Sequence, residues 1–396
     1  MPHPLSDVWF RLGRNTGVSL GSQFVIVLCG FFAMYFNSRS LGVEGFGQFV
    51  LLISIAALLE QIATSQSWQV VMAMGKGRER EIFGGALLFD ATALMIAALI
   101  GLAIAIAIAP LGIWLMASIA LRVQDPAVGL LRLRNKYETI AGVQIAQAIT
   151  TAIVAYLLWR QGAGLEAYVL WTAAISAAGS LALVGFALRE VRPVVPSRAI
   201  LLEVFRFAVP ANLSGTIGTV RQNGIFLLLG LFGGPAAVGI YAVAERVSSV
   251  LGMLNTTIHH AIFREIASNT RHLARVVGGI SFAIGILAAV VCGIFGKDLI
   301  RLAAGPEFEL AFAPLLILIL AHSFSLAGVG MRAATIVLEG PVAMLRCNAR
   351  AALSLIVAPA LIMFLGASGG AYSALFYEVV WLALIWFRFS RSNSRS

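Results

Sequence analysis

The chain is 396 residues long, 60% of them hydrophobic and 12% charged, and carries a net charge of +10. Ordinary globular proteins hold roughly 45–50% apolar and about 25% charged residues, so a water-soluble protein of this length could neither bury so much apolar surface nor cover it with so few charges. A soluble nucleic-acid-binding protein is excluded as well, because the basic residues fall in short segments between apolar runs and not on one basic face.

A membrane-spanning helix needs about 20 apolar residues. Continuous runs such as 86–110 and 280–296 have that length and lack the alternation of barrel strands. The expected fold is an all-α polytopic membrane protein with about 12 transmembrane helices. Read between charge clusters and Gly/Pro turns, the spans fall near 17–37, 46–72, 83–109, 111–131, 138–159, 165–188, 207–232, 235–263, 275–296, 311–331, 343–365 and 370–388.

Taken in order, Arg11 and Arg14 precede the first run and no small-residue cleavage site follows, which predicts an uncleaved first span. The second span is polar in one half. Glu60, Thr64 and Ser67 stand at i, i+4 and i+7, the spacing of a stripe that lines a cavity or glues helices together. Trp68 follows, suited to an interfacial anchor or a sugar-stacking ring. The third span carries Asp90. The fourth carries Arg122 and Asp125, three apart and so on one helix face, followed by Pro126. Residues 189–206, with Pro193 and Pro196, read as a linker. The seventh span holds Arg221 beside Gln222 and Asn223, with no acid within a turn. The eighth holds Glu245 and Arg246 and ends near His259-His260, neighbours that diverge on a helix and make a poor metal pair. His322, Pro359 and Glu378 mark the last three spans.

With the N-terminus placed in the cytoplasm, 21 Lys and Arg residues fall on inner segments against 4 on outer ones, so the positive-inside rule predicts both termini cytoplasmic. The chain also repeats itself. At an offset of 192 residues Gly42 meets Gly234, Gly47 meets Gly239 and Phe49 meets Tyr241. Six spans in each half start on the same side, so the expected halves are two six-helix bundles related as parallel repeats, with boundaries 1–190, linker 191–206 and 207–396.

No enzyme motif survives inspection: the chain has no P-loop, no His-Glu-x-x-His and no nucleophile elbow. Three scattered cysteines make neither a disulfide framework nor a metal site. Neither cofactor nor metal is expected, nor an enzyme. The ionisable groups inside spans are then the functional candidates, because each is costly in hydrocarbon unless it faces a cavity or a partner. An arginine stays charged even there and needs an anion. For Arg221 that anion is either Glu60, Glu245 or Glu378, or a substrate phosphate; Arg122 either pairs with Asp125 or is a functional cation, and Glu245 and Arg246, which diverge, take partners on other helices.

The segments Asn15–Gln23 and Arg39–Phe49, with Phe207-Ala208-Val209-Pro210 and Gly234–Tyr241, resemble the polysaccharide or O-antigen flippases of the multidrug/oligosaccharidyl-lipid/polysaccharide exporter superfamily. The resemblance implies a two-bundle transporter of the bacterial inner membrane that moves undecaprenyl-diphosphate-linked oligosaccharide between leaflets by alternating access, driven by an ion gradient. Its partners would be the lipid-linked oligosaccharide, membrane lipid, and polysaccharide polymerase and chain-length machinery, with no nucleic acid. On that expectation Arg221, Arg122 and Arg246, with Gln222, Asn223, Thr64 and Ser67, bind substrate, and Glu60, Glu245 or Glu378 couples the ion. The alternatives are a multidrug or cation antiporter of the same superfamily and a membrane glycan polymerase or ligase.

Overall fold

The computed structural model describes residues 4–64, 67–108, 110–266, 270–339 and 341–392, and they are helical nearly throughout. Among them nine helical stretches are long and apolar enough to cross a membrane. The first, Gly21–Met74, holds two of the expected spans, and the shorter helices of the fourth span and the helix over 198–232 supply the remaining apolar passes, about twelve in all. The protein is a multi-pass all-helical membrane protein.

The helices are α1 (Pro4–Thr64), α2 (Ser67–Met74), α3 (Glu79–Ile108), α4 (Ile113–Ile119), α5 (Asp125–Leu133), α6 (Tyr137–Arg160), α7 (Leu165–Glu190), α8 (Arg198–Phe232), α9 (Gly234–Ile266), α10 (Thr270–Ala303), α11 (Phe312–Ala327), α12 (Val329–Glu339), α13 (Pro341–Ala352), α14 (Ala358–Leu365) and α15 (Ala367–Ser392). They form two compact units. One comprises Met1–Ser40 and Ile55–Thr216, the other Leu41–Ser54 and Ile217–Ser396.

In the first unit α2 packs on α5, α3 on α4, and α7 on α4, α5 and α6. Its core joins Val71, Phe83, Leu130, Leu131, Ile140 and Leu183. The expected fourth span is not one helix: a 3₁₀ turn over Pro110–Gly112, then α4, a turn at 120–124, and α5. Pro126 starts α5, where its missing N–H costs nothing, and does not kink a helix interior. Gly129 lets α5 touch the backbone of α2: a Cβ there would stand 2.9 Å from Trp68 Cα.

In the second unit α11 packs on α9, α10 and α15, and α13 and α14 pack on α15. Met331, Met344, Cys347, Tyr377, Trp381 and Phe389 share a core there. The tenth and eleventh spans are also interrupted. Gly328 separates α11 from α12, and a 3₁₀ stretch over Leu353–Val357 separates α13 from α14, with Pro359 in the first turn of α14.

Gly42 breaks α1 with φ 65° and ψ −176°, a conformation essentially reserved for glycine. Its repeat mate Gly234 also has positive φ, 78°, at the start of α9. Five residues beyond each, Gly47 and Gly239 face one another within the second unit. A Cβ on Gly47 would lie 2.9 Å from the Gly239 nitrogen and overlap Pro235 O; one on Gly239 would lie 3.2 Å from the Gly47 nitrogen and overlap Val43 O. Pro235 is the repeat mate of Val43, so the contact is reciprocal.

Candidate functional site

Each unit holds an arginine gripped by an acid from another helix. In the first, α1 carries Glu60 near its end and the turn after α4 presents Arg122. Arg122 Nη1 donates to Glu60 Oε2 at 2.8 Å and Nη2 to Ser118 Oγ at 3.1 Å, while its buried Nε has no protein partner. The pair is largely buried, its side chains 11% and 22% exposed. Arg122 therefore does not take Asp125. The spacing of three gives a shared face only inside a helix, and the chain between the two residues is a turn.

Ser67 starts α2 and is buried. Its hydroxyl donates to Asp90 Oδ1 at 2.5 Å, and the second oxygen of Asp90, fully buried, has no protein partner. Ser67 thus points at a carboxylate inside the unit. The polar stripe expected through Glu60, Thr64 and Ser67 is divided between α1 and α2, and the side chain of Thr64 lies outside the described residues, as do those of His259 and His260. Arg132 lies over the Trp68 ring, 4.8 Å from its centroid, which engages one face of that indole.

In the second unit Arg221 of α8 donates from Nη1 to Glu378 Oε1 of α15 at 2.5 Å and sits 5.1 Å from the Tyr377 ring centroid. Glu378 is 5% exposed and the Arg221 side chain 32%. Gln222 Nε2 reaches Glu245 Oε1 of α9 at 3.4 Å. Asn255 donates to Ser325 Oγ at 2.9 Å, and Ser325 in turn bonds Glu378. Asn223 is half-buried, and Arg246 is exposed without an ion-pair partner among the described residues.

Sequence reasoning missed Arg332. One residue past the span expected over 311–331, it lies on α12, within electrostatic range of Arg221, Glu378 and Tyr377, and its buried Nε has no protein partner. His322 of α11 lies beside Gly252 and near Arg221. Two arginines and a histidine thus converge with Glu378 and Glu245 in one polar cluster, where each arginine gains in interaction with an added anion. The signal available in the sequence was Gly328, which ends α11 early and starts a new helix that carries Arg332 inward. No group of three or more metal-ligating side chains occurs among the described residues.

These features define a polytopic helical membrane protein with the fold of flippases and transporters. The chain matches the lipid II flippase MurJ in its inward closed conformation over 94% of its own length and 87% of that chain, with a TM-score of 0.79 at 10% identity. It matches an inward-facing multidrug resistance MATE family transporter of the MOP superfamily over 95% and 96%, with a TM-score of 0.70 at 15% identity. The chain belongs to the polysaccharide biosynthesis protein family, whose pattern covers residues 82–292, more than half of its length. The inner membrane protein YghQ of Escherichia coli (strain K12) is 24% identical over 345 residues, 78% of this chain and 97% of that protein.

Proposed function

We propose that this protein translocates an undecaprenyl-diphosphate-linked oligosaccharide across the bacterial inner membrane by alternating access, both termini facing the cytoplasm and neither bond-making nor a cofactor being involved. Two six-helix repeats, 1–190 and 207–396 with 191–206 between them, would rock around the substrate. The observation that carries the reading is an arginine inside each unit that forms an ion pair with one carboxylate among the described residues, in a family of polysaccharide biosynthesis.

A diphosphate offers several oxygens to a guanidinium, against two from a carboxylate, and so competes with Glu60 for Arg122 and with Glu378 for Arg221. Protonation of either glutamate removes its charge and frees the arginine. Proton binding and diphosphate binding at each site then favour one another, which couples translocation to a proton gradient without a separate ion site. Glu245 serves the same role through Gln222. Arg246, Gln222, Asn223 and Thr64 extend the polar surface toward sugar hydroxyls. Ser67 would act with Asp90 behind them. Polymerase and chain-length proteins would take up the product on the far side.

The test is purified protein in liposomes with a lipid-linked oligosaccharide on one leaflet. Scrambling or pH-gradient-driven transfer without chain growth is expected. Uptake of organic cations in its place would favour the multidrug antiporter, since MATE transporters share the fold, and elongated glycan would favour a polymerase or ligase. In cells, Arg221→Ala should abolish surface polysaccharide, a larger loss than the fall in protein abundance that breaking the Glu378 pair brings.

A further inference from the structure

Away from these clusters the first unit carries a groove of about 480 Å³ between α3 and the first turns of α8. That is within the range of about 300–1,000 Å³ typical of small-molecule sites. Leu88, Phe89, Ala93 and Ile96 form one wall, Leu202 and Phe205 the other, and the one charged lining residue, Arg198, stands at one end. From Arg198 to Phe205 the helix advances roughly 10 Å at about 1.5 Å per residue, so the groove has a cationic mouth and a hydrocarbon length.

Close backbone approach holds its two walls together. Gly84 and Gly85 let the 191–197 segment and α8 lie directly on α3: a Cβ on Gly85 would stand 3.2 Å from Val204 Cγ2, and the Val194 amide donates to Arg80 O at 3.2 Å. The segment that leads into Arg198 therefore lies along the first residues of α3, and the groove opens between two apolar helix faces. One stripe of α8, Ile200, Val204 and Ala208, is buried against Val70 and Ile82. The other stripe keeps Leu202 and Phe205 about half exposed, and Val195 just before the helix is 93% exposed. A helix with apolar surface on both faces and arginines at its start has the character of a segment lying in a lipid interface.

Charge selects the occupant. Arg78 is taken by Glu203, Nη2 to Oε2 at 2.9 Å. Arg192, Arg198 and Arg206 are exposed and have no carboxylate partner among the described residues. An unpaired arginine at the mouth of an apolar groove, with Arg192 six residues before it, matches an anionic lipid: phosphate at the mouth and acyl chain along the wall. We propose that this groove is a binding site for one anionic phospholipid, its phosphate held by Arg198 and an acyl chain lying between Leu88–Ile96 and Leu202–Phe205. The site is separate from the ion-paired arginines and takes a resident lipid, not cargo.

The experiment uses full-length protein in phosphatidylcholine vesicles doped with spin-labelled phosphatidylglycerol or spin-labelled phosphatidylcholine, reading the motionally restricted fraction of each. Wild type should prefer the anionic label. Arg198→Gln should lower that preference by about fivefold, the worth of one interfacial arginine, whereas Arg198→Lys retains most of it. Ala93→Phe, which fills the groove, should release the restricted label while helix content and thermal midpoint stay as in wild type. An unchanged preference in Arg198→Gln overturns the site, as does displacement of the label by undecaprenyl phosphate but not by unlabelled phosphatidylglycerol. Lipid binding is read here without transport, so a failure leaves the proposed translocation activity to be judged on its own assay.

Discussion

Arg221 and Glu378 set the energetics at the scale of single residues. An arginine inside an apolar unit must have an anion, and that requirement was legible in the sequence from the absence of any acid within a turn of Arg221. Which acid it takes was not legible, since α8 and α15 are far apart in sequence and meet only on folding. Replacing Glu378 by Gln should destabilise the purified protein by about 2 kcal/mol, below the full cost of breaking a buried pair because a third of Arg221 is exposed. Glu378→Gln combined with Arg221→Gln should recover part of that loss, giving a coupling of about 1–2 kcal/mol in a double-mutant cycle of thermal or denaturant unfolding. Two additive effects would break the link between them. Arg122 illustrates the opposite lesson. Its i,i+3 neighbour looked like a partner, but helix rules apply only where the chain is helical, and the turn at 120–124 hands it to Glu60 instead.

At the scale of elements, the long apolar helices were legible because twenty apolar residues in a row leave few alternatives, whereas the interruptions were not. The breaks at 120–124, Gly328 and 353–357 occur inside runs whose composition stays apolar, so hydropathy alone passes over them. The glycines matched at an offset of 192 were legible in the sequence, and the structure gives each a reason. Gly42 occupies a backbone region closed to other residues, and Gly42→Ala should cost about 1–3 kcal/mol, measured as a lowered thermal midpoint. Gly239→Val should be worse, because its Cβ meets backbone on both sides and no rotamer relieves it; loss of folded protein from the membrane fraction is the expected result. A Gly142→Ala control, where a Cβ meets nothing within 4 Å, should behave as wild type.

Over the whole molecule, charge placement is the feature most open to test. The 21 to 4 bias of basic residues predicts that reporter fusions at the 162–164 turn read as external and those at residue 392 as cytoplasmic. The Arg78–Glu203 bond ties the 75–78 turn to α8, and this hydrogen bond holds the Glu203 carboxyl below its ordinary value of 4.5. A carboxyl lowered on folding lends stability above that ordinary value and loses it as pH falls through the folded one. Wild type should therefore lose more of its thermal midpoint between pH 6 and pH 3.5 than Glu203→Gln does, by a small margin, since the pair is open to solvent.

The reciprocal meeting of Gly47 with Gly239 also constrains length. One residue added between Gly42 and Gly47 would rotate everything after it by about 100° about the helix axis, turning Phe46 toward Pro235 and withdrawing both glycines together. The spacer of four residues between these glycines, and its twin between Gly234 and Gly239, are thus fixed in number as firmly as in kind. By contrast the turn at 162–164, whose glycines have open space around them, can lengthen or shorten freely.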